Sequence, residues 1–220
     1  MNKDIDILVN QKSLDLCIDK IVSKYRDNIS KTRESLITEL SDIIESARRK
    51  AESALIRHGS GIRTARSISK FQDILIEKIY EFIVQNIHLP TDQENFDKIC
   101  LVAVGGYGRG TLAPFSDIDL LFLHSNKLSD WTESVIEYML YILWDLGFKV
   151  GHATRNLDQC LELSKSDLTI RTSILEARYI YGHLDLYEKL VQRFNKEIVA
   201  KTADEFIEMK LDERDKRHST

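Results

Sequence analysis

The chain has 220 residues, of which 43% are hydrophobic and 30% charged, with a formal net charge of −4. That is an ordinary globular composition, and its acidic balance argues against a general nucleic-acid binder, which carries an excess of lysine and arginine. Cys17, Cys100 and Cys160 are widely spaced and form no C-x-x-C pair. They imply neither a zinc site nor a disulfide framework, so a reduced, cytoplasmic compartment is the simplest expectation. The N-terminus is too charged for a signal peptide, and no apolar run approaches membrane length.

Residues 1–30 are weakly patterned and predict a partly disordered lead-in. From 33 to 57 the apolar residues Leu36, Leu40, Ile43, Ile44, Ala47, Ala51 and Leu55 recur at helical spacing, and Gly59 and Gly61 then stop the helix. Arg48, Arg49, Lys50, Arg57, Arg63 and Arg66 read as a solvated face of this region. A second helix is predicted over 69–87, with Phe71, Ile74, Leu75, Ile79, Phe82 and Ile83 on its buried side. Pro90 and the polar residues 91–94 predict a loop. Residues 1–95 thus read as a helical segment packed on whatever follows.

The most informative stretch comes next. An apolar run at 101–104 has the length of a buried strand. Four glycines follow within six positions: Gly105, Gly106, Gly108 and Gly110. Pro114, Ser116, Asp117 and Asp119 lead into a second apolar run at 118–123. Glycines directly after a strand let the backbone take positive φ and approach a ligand closely, and a helix starting there offers free N–H groups to phosphate. Two carboxylates separated by one residue on a strand point to the same face. A pair of hard oxygen ligands beside a phosphate cradle suits Mg²⁺ that also coordinates a triphosphate. No lysine follows Gly110, which excludes a P-loop, and the G-x-G-x-x-G dinucleotide spacing is absent.

Ser129 is placed to cap a helix carrying Trp131, Val135, Ile136, Met139, Leu140, Leu143 and Leu146, and Gly147 ends it. A third strand is predicted over 148–153. Helices are then predicted over 157–164, 168–181, 184–198 and 203–217, with Asp167 as an N-cap. The charged, uncapped ending LDERDKRHST reads as a truncated chain. The resulting expectation is an α+β fold with a small mixed sheet. Residues 1–95 form its helical N-terminal segment, 96–155 the core, and 156–220 a C-terminal helical segment.

The pattern Gly105-Gly106-Tyr107-Gly108-Arg109-Gly110, then Pro114 and Ser116-Asp117-Ile118-Asp119, resembles the signature of the nucleotidyltransferase superfamily that includes DNA polymerase beta. Within it, this pattern and the segments LWDLGFKVGHATRNLDQC and SDLTIRTSILEARYIYG are most similar to the protein-PII uridylyltransferases. The resemblance covers the second half of the chain well and the first half weakly. It implies Mg²⁺-dependent transfer of UMP from UTP to a tyrosine hydroxyl of the PII nitrogen-signalling protein, with release of pyrophosphate. Asp117 and Asp119 would then bridge the metal, and Gly105, Gly106 and Ser116 would hold the β- and γ-phosphates. Arg109 would either neutralise the pyrophosphate or brace the loop through an ion pair.

Members of that family also carry a hydrolytic domain with a His-Asp metal motif and glutamine-sensing modules. No His-Asp dipeptide occurs here, so glutamine is expected as an effector only through modules this chain does not carry. Many superfamily members place a third carboxylate on the third strand. Here that strand offers His152, which reads as a partly buried structural histidine, and the nearest acids, Asp158 and Asp167, lie beyond it. Two other readings stay open: a nucleotidyltransferase acting on another acceptor, and an incomplete fragment that binds nucleotide or PII.

Overall fold

The computed structural model describes residues 7–25, 28–89, 98–125 and 128–218. Three helices come first: α1 (Gln11–Lys24), α2 (Ile29–His58) and α3 (Gly61–Asn86). Helix α1 replaces the disordered lead-in that weak patterning suggested. Asn10 caps it, and Leu14, Ile18 and Ile21 are its buried stripe. Lys78 of α3 pins it in place, with Nζ 2.9 Å from Asp15 of α1 and 2.7 Å from Glu81. Burial disfavours the charged ammonium, but those two carboxylates outweigh it and raise the lysine's pKa. Helix α2 ends where Gly59 takes a left-handed φ of 66°, and Ser60 caps α3, whose first residue Gly61 lies eight positions ahead of the predicted start at 69. The expected loop at Pro90 and 91–94 lies outside the described residues.

The sheet and its covering helices follow as β1 (Ile99–Ala103), α4 (Gly105–Gly108), β2 (Ile118–His124), α5 (Asp130–Asp145), β3 (Val150–Asn156), α6 (Leu157–Ser166), α7 (Leu168–Leu175), β4 (Arg178–Gly182), α8 (Leu184–Phe194) and α9 (Ala200–His218). A π-helical turn, Asn195–Val199, joins α8 to α9. Ser129 caps α5 and Asp167 caps α7, both as expected. The single helix expected over 168–181 is wrong. It breaks after Leu175, and the aromatic, β-prone segment Arg178–Gly182 pairs with β1 instead.

The sheet order is β3-β2-β1-β4, with β2 parallel to β3 and the other pairs antiparallel, which is the mixed sheet expected. Alternation along the strands sorts its two faces. Ile99, Leu101, Ile118, Leu120 and Phe122 join the core formed with α1, α2, α3 and α5. Cys100, Val102, Leu121 and Leu123 join a second core against α6, α7 and α8. Burial pushes the Cys100 and Cys160 thiols up to about 12 and about 11, so both behave as small apolar side chains.

Candidate active site

Asp119 is the first polar residue of β2 and lies on the α6–α8 face of the sheet, at the end where β1 runs into the glycine turn. Asp117, two residues earlier, shares its parity and is exposed. Gly105 takes a positive φ of 55°, and a Cβ there would sit 3.1 Å from Oδ2 of Asp119. Gly151 of β3 pairs with Asp119 across the parallel ladder, and a methyl group on it would collide with Oδ1. The carboxylate therefore occupies a slot between two glycines, one on either side. Among the described residues, no donor is hydrogen-bonded to its oxygens. Burial, and then the charge of Asp117, raise the Asp119 pKa above the ordinary aspartate value.

The glycine turn is held from behind. Tyr107 is fully buried and donates its hydroxyl to Oδ1 of Asp73 on α3 at 2.7 Å. Arg178 of β4 forks onto the same carboxylate, with Nη1 2.8 Å from Oδ2 and Nη2 3.1 Å from Oδ1. The guanidinium also donates to the carbonyls of Tyr107 and Gly108, each at 3.3 Å. A register shift in the β1–β4 pairing between Leu101 and Val102 sets Arg178 opposite Ala103, directly before the turn. Gly108 packs so closely on the end of α7 that a Cβ would overlap the carbonyl oxygen of Glu176. Removing one partner of a largely desolvated pair leaves the other uncompensated. Because Arg178 retains 30% exposure, Asp73→Ala is expected to cost about 2–3 kcal/mol, somewhat below the fully buried range. Urea unfolding would measure it.

The remaining expected residues divide. Arg109 is braced: Nη1 contacts both oxygens of Glu176 at 2.8 Å. Gly106 stands beside its guanidinium, 3.5 Å from a Cβ built there. Ser116 is half-buried and closes the turn by donating its N–H to the carbonyl of Ala113 at 3.2 Å. His152 falls outside the group. It pairs with Leu120 rather than Asp119, is exposed, and meets the Trp144 ring of α5 at 6.4 Å on the opposite face. Asp158 is bound to Arg193 at 2.8 Å, and Asp167 is spent on its cap. Among the described residues no cluster of three or more metal-ligating side chains exists. The pair Asp117/Asp119 still fits a hexacoordinate ion that keeps several waters and uses one or two carboxylates plus phosphate.

Gly151, Tyr107, Asp73, Arg178 and Glu176 all shape the site and were not picked out from the sequence. A glycine inside a predicted strand is itself a sign of close approach, so Gly151 had a readable signal. The others are joined across 34 to 105 positions and had none.

A glycine turn after one strand faces a D-x-D at the start of its antiparallel neighbour, and residues 91–180, which hold both, match the nucleotidyltransferase domain. That stretch of the chain accordingly carries a nucleotidyltransferase domain. More particularly, the chain is 49% identical over 187 residues to the bifunctional uridylyltransferase/uridylyl-removing enzyme of Phenylobacterium zucineum (strain HLK1). The alignment takes in 85% of this chain and 20% of that enzyme, so the chain spans about a fifth of its relative's length. Among solved structures, a mutant of the toxin–antitoxin MntA–HpeT overlays with a TM-score of 0.35 at 14% identity, covering 61% of this chain and 97% of that one. A toxin–antitoxin with AMP-PNP gives 0.34 at 15%, covering 60% and 97%. Likeness at that level carries no argument about this site. Among the described residues, no helix is long and apolar enough to cross a membrane.

Proposed function

We propose that this chain transfers UMP from UTP to a tyrosine hydroxyl of a PII-type signalling protein, with Mg²⁺ held by Asp117 and Asp119. The observation that carries the reading is the Asp119 carboxylate set between Gly105 and Gly151, with Asp117 beside it and the Gly105 turn against it. When bound, Mg²⁺ neutralises charge on the triphosphate and on the oxygens that attack and leave. The chain's own residues position the substrate. Gly105 and Gly106 present backbone N–H groups to the β- and γ-phosphates, and Ser116 adds its hydroxyl.

Arg109 keeps its ion pair with Glu176, which favours the bracing role over direct charge neutralisation. Residues 1–95 serve as the brace behind the turn, 96–155 carry the reacting groups, and 156–220 cover the face of the sheet on which Asp119 lies. The similarity to an enzyme named for uridylyl transfer supports UTP as donor and PII as acceptor. Glutamine belongs to this scheme only as an effector acting through other modules, and a cytoplasmic setting follows from the PII partner.

The test is transfer of label from α-labelled UTP to purified PII with Mg²⁺, compared with the Asp117→Asn/Asp119→Asn double variant. Label on a PII tyrosine that vanishes in the variant supports the reading. Equal labelling by both, or label from all four triphosphates alike, sinks it.

A further inference from the structure

On the face of the sheet opposite Asp119, a cavity of about 580 Å³ lies between α2, α3 and the loop over 112–118. Its walls include Ile44 and Ala51 of α2, Phe71 of α3, Leu112 and Phe148. The first four of these are buried, so the space reaches into the core of the N-terminal helices. The charged residues that line it are all exposed and therefore stand at its mouth: Arg48, Arg49 and Lys149 against Glu45 and Glu52. Arg49 is committed to Glu45 at 2.5 Å. Arg48 and Lys149 then face Glu52, which leaves the mouth net positive.

Two further observations point to an occupant. Gln72 lines the cavity and is 2% exposed, yet its Nε2 is buried with no hydrogen-bond partner. An unmet buried donor is costly, and native structures keep few of them without a reason. Phe115 forms part of the outer wall with a φ of 63°, a strained conformation for an aromatic residue, and the Arg48 guanidinium lies 4.9 Å over its ring. The loop that carries Phe115 continues into Ser116 and Asp117, so the cavity and the carboxylate pair share one loop.

We propose that this cavity binds a small amphipathic anion. An apolar, ring-sized body packs on Ile44, Ala51 and Phe71. An acceptor atom takes the Gln72 Nε2–H, and an acidic group faces Arg48 and Lys149. The volume is in the range of small-molecule sites, which combine apolar walls with a few placed polar groups. This assignment stands independently of the transferase reading.

The fluorescent acid 7-methoxycoumarin-3-carboxylate has acceptor oxygens along a bicyclic body and a carboxylate at one end, and it serves as the probe for titration of the full chain. Saturable binding of one equivalent is expected, with the uncharged parent 7-methoxycoumarin binding at least about fivefold more weakly. Gln72→Leu should weaken the acid by about the same factor, the equivalent of one modest hydrogen bond. Ala51→Phe, which fills the space, should abolish binding while far-UV dichroism confirms a folded chain. If that variant fails to fold, Gln72→Leu and the uncharged parent decide alone. Absence of saturable binding, equal binding of acid and parent, or binding that survives in folded Ala51→Phe overturns the proposal.

Discussion

Asp119→Asn is expected to lower UMP transfer by on the order of 10³-fold while leaving the unliganded chain at least as stable as the native one. The two halves of this result have a common origin. The site holds its carboxylate partly away from water and beside the like charge of Asp117, and these two features raise its pKa. For a carboxylate whose folded pKa lies above its unfolded value, the native state binds the proton more tightly. Stability is therefore greatest below the unfolded value and declines as pH rises towards the folded one. Asparagine removes that decline, so the variant should gain on the native chain as pH increases through this window. Thermal melts across the acid range would show it.

In the proposed role of Asp119, metal binding depends on the ionised carboxylate and runs the other way. It weakens as pH falls through the raised value, and so fails at a higher pH than an unperturbed aspartate would allow. Losing one metal-holding oxygen pair forfeits about 4 kcal/mol of transition-state stabilisation, hence the thousandfold loss. A variant that loses transfer together with its fold would show that Asp119 is structural. A variant that keeps transfer would remove it from the site.

How much of this was legible follows the range of the interactions. The glycine turn and the D-x-D read correctly because each is local: strand, positive-φ turn, strand. The caps at Ser129 and Asp167 are equally local, one side chain satisfying N–H groups two or three residues on. Strand β4 was not legible. Ile170, Ile174, Ala177 and Tyr181 keep helical spacing straight through it, and only pairing with β1, more than 70 residues earlier, pulls Arg178–Gly182 into the sheet. That error hid the Arg178–Asp73 pair as well, since a helical Arg178 has no reason to face the turn. Helix α1 was faint for a different reason. Its apolar stripe is three residues deep, and its docking relies on Lys78 far along the chain. His152 reads from the sequence as a partly buried structural histidine, whereas it is exposed, and the parallel register turns it by parity to the face opposite Asp119.

Register also identifies the position where a single methyl group should do the most damage for the least loss of stability. Gly151→Ala is expected to reduce transfer at least about 100-fold, with a thermal midpoint within a few degrees of the native chain. The backbone at 151 is an ordinary strand with no positive φ, so alanine is conformationally acceptable there. The new Cβ meets no main chain within contact distance. What it meets is Oδ1 of Asp119, the end of a short side chain that can rotate away. Rotation relieves the clash cheaply, but it carries the carboxylate out of the slot formed with Gly105. A metal-holding oxygen displaced by even 1 Å costs about two orders of magnitude in rate.

Gly108→Ala supplies the contrast, since its Cβ strikes the carbonyl oxygen of Glu176, a main-chain atom that cannot step aside. That variant should lose stability first and activity as a consequence. Measuring transfer, Mg²⁺ dependence and thermal midpoint for the two side by side separates the two kinds of glycine. A Gly151→Ala chain that melts like Gly108→Ala, or that transfers UMP at the native rate with native Mg²⁺ dependence, would mean that the slot around Asp119 plays no part in the chemistry.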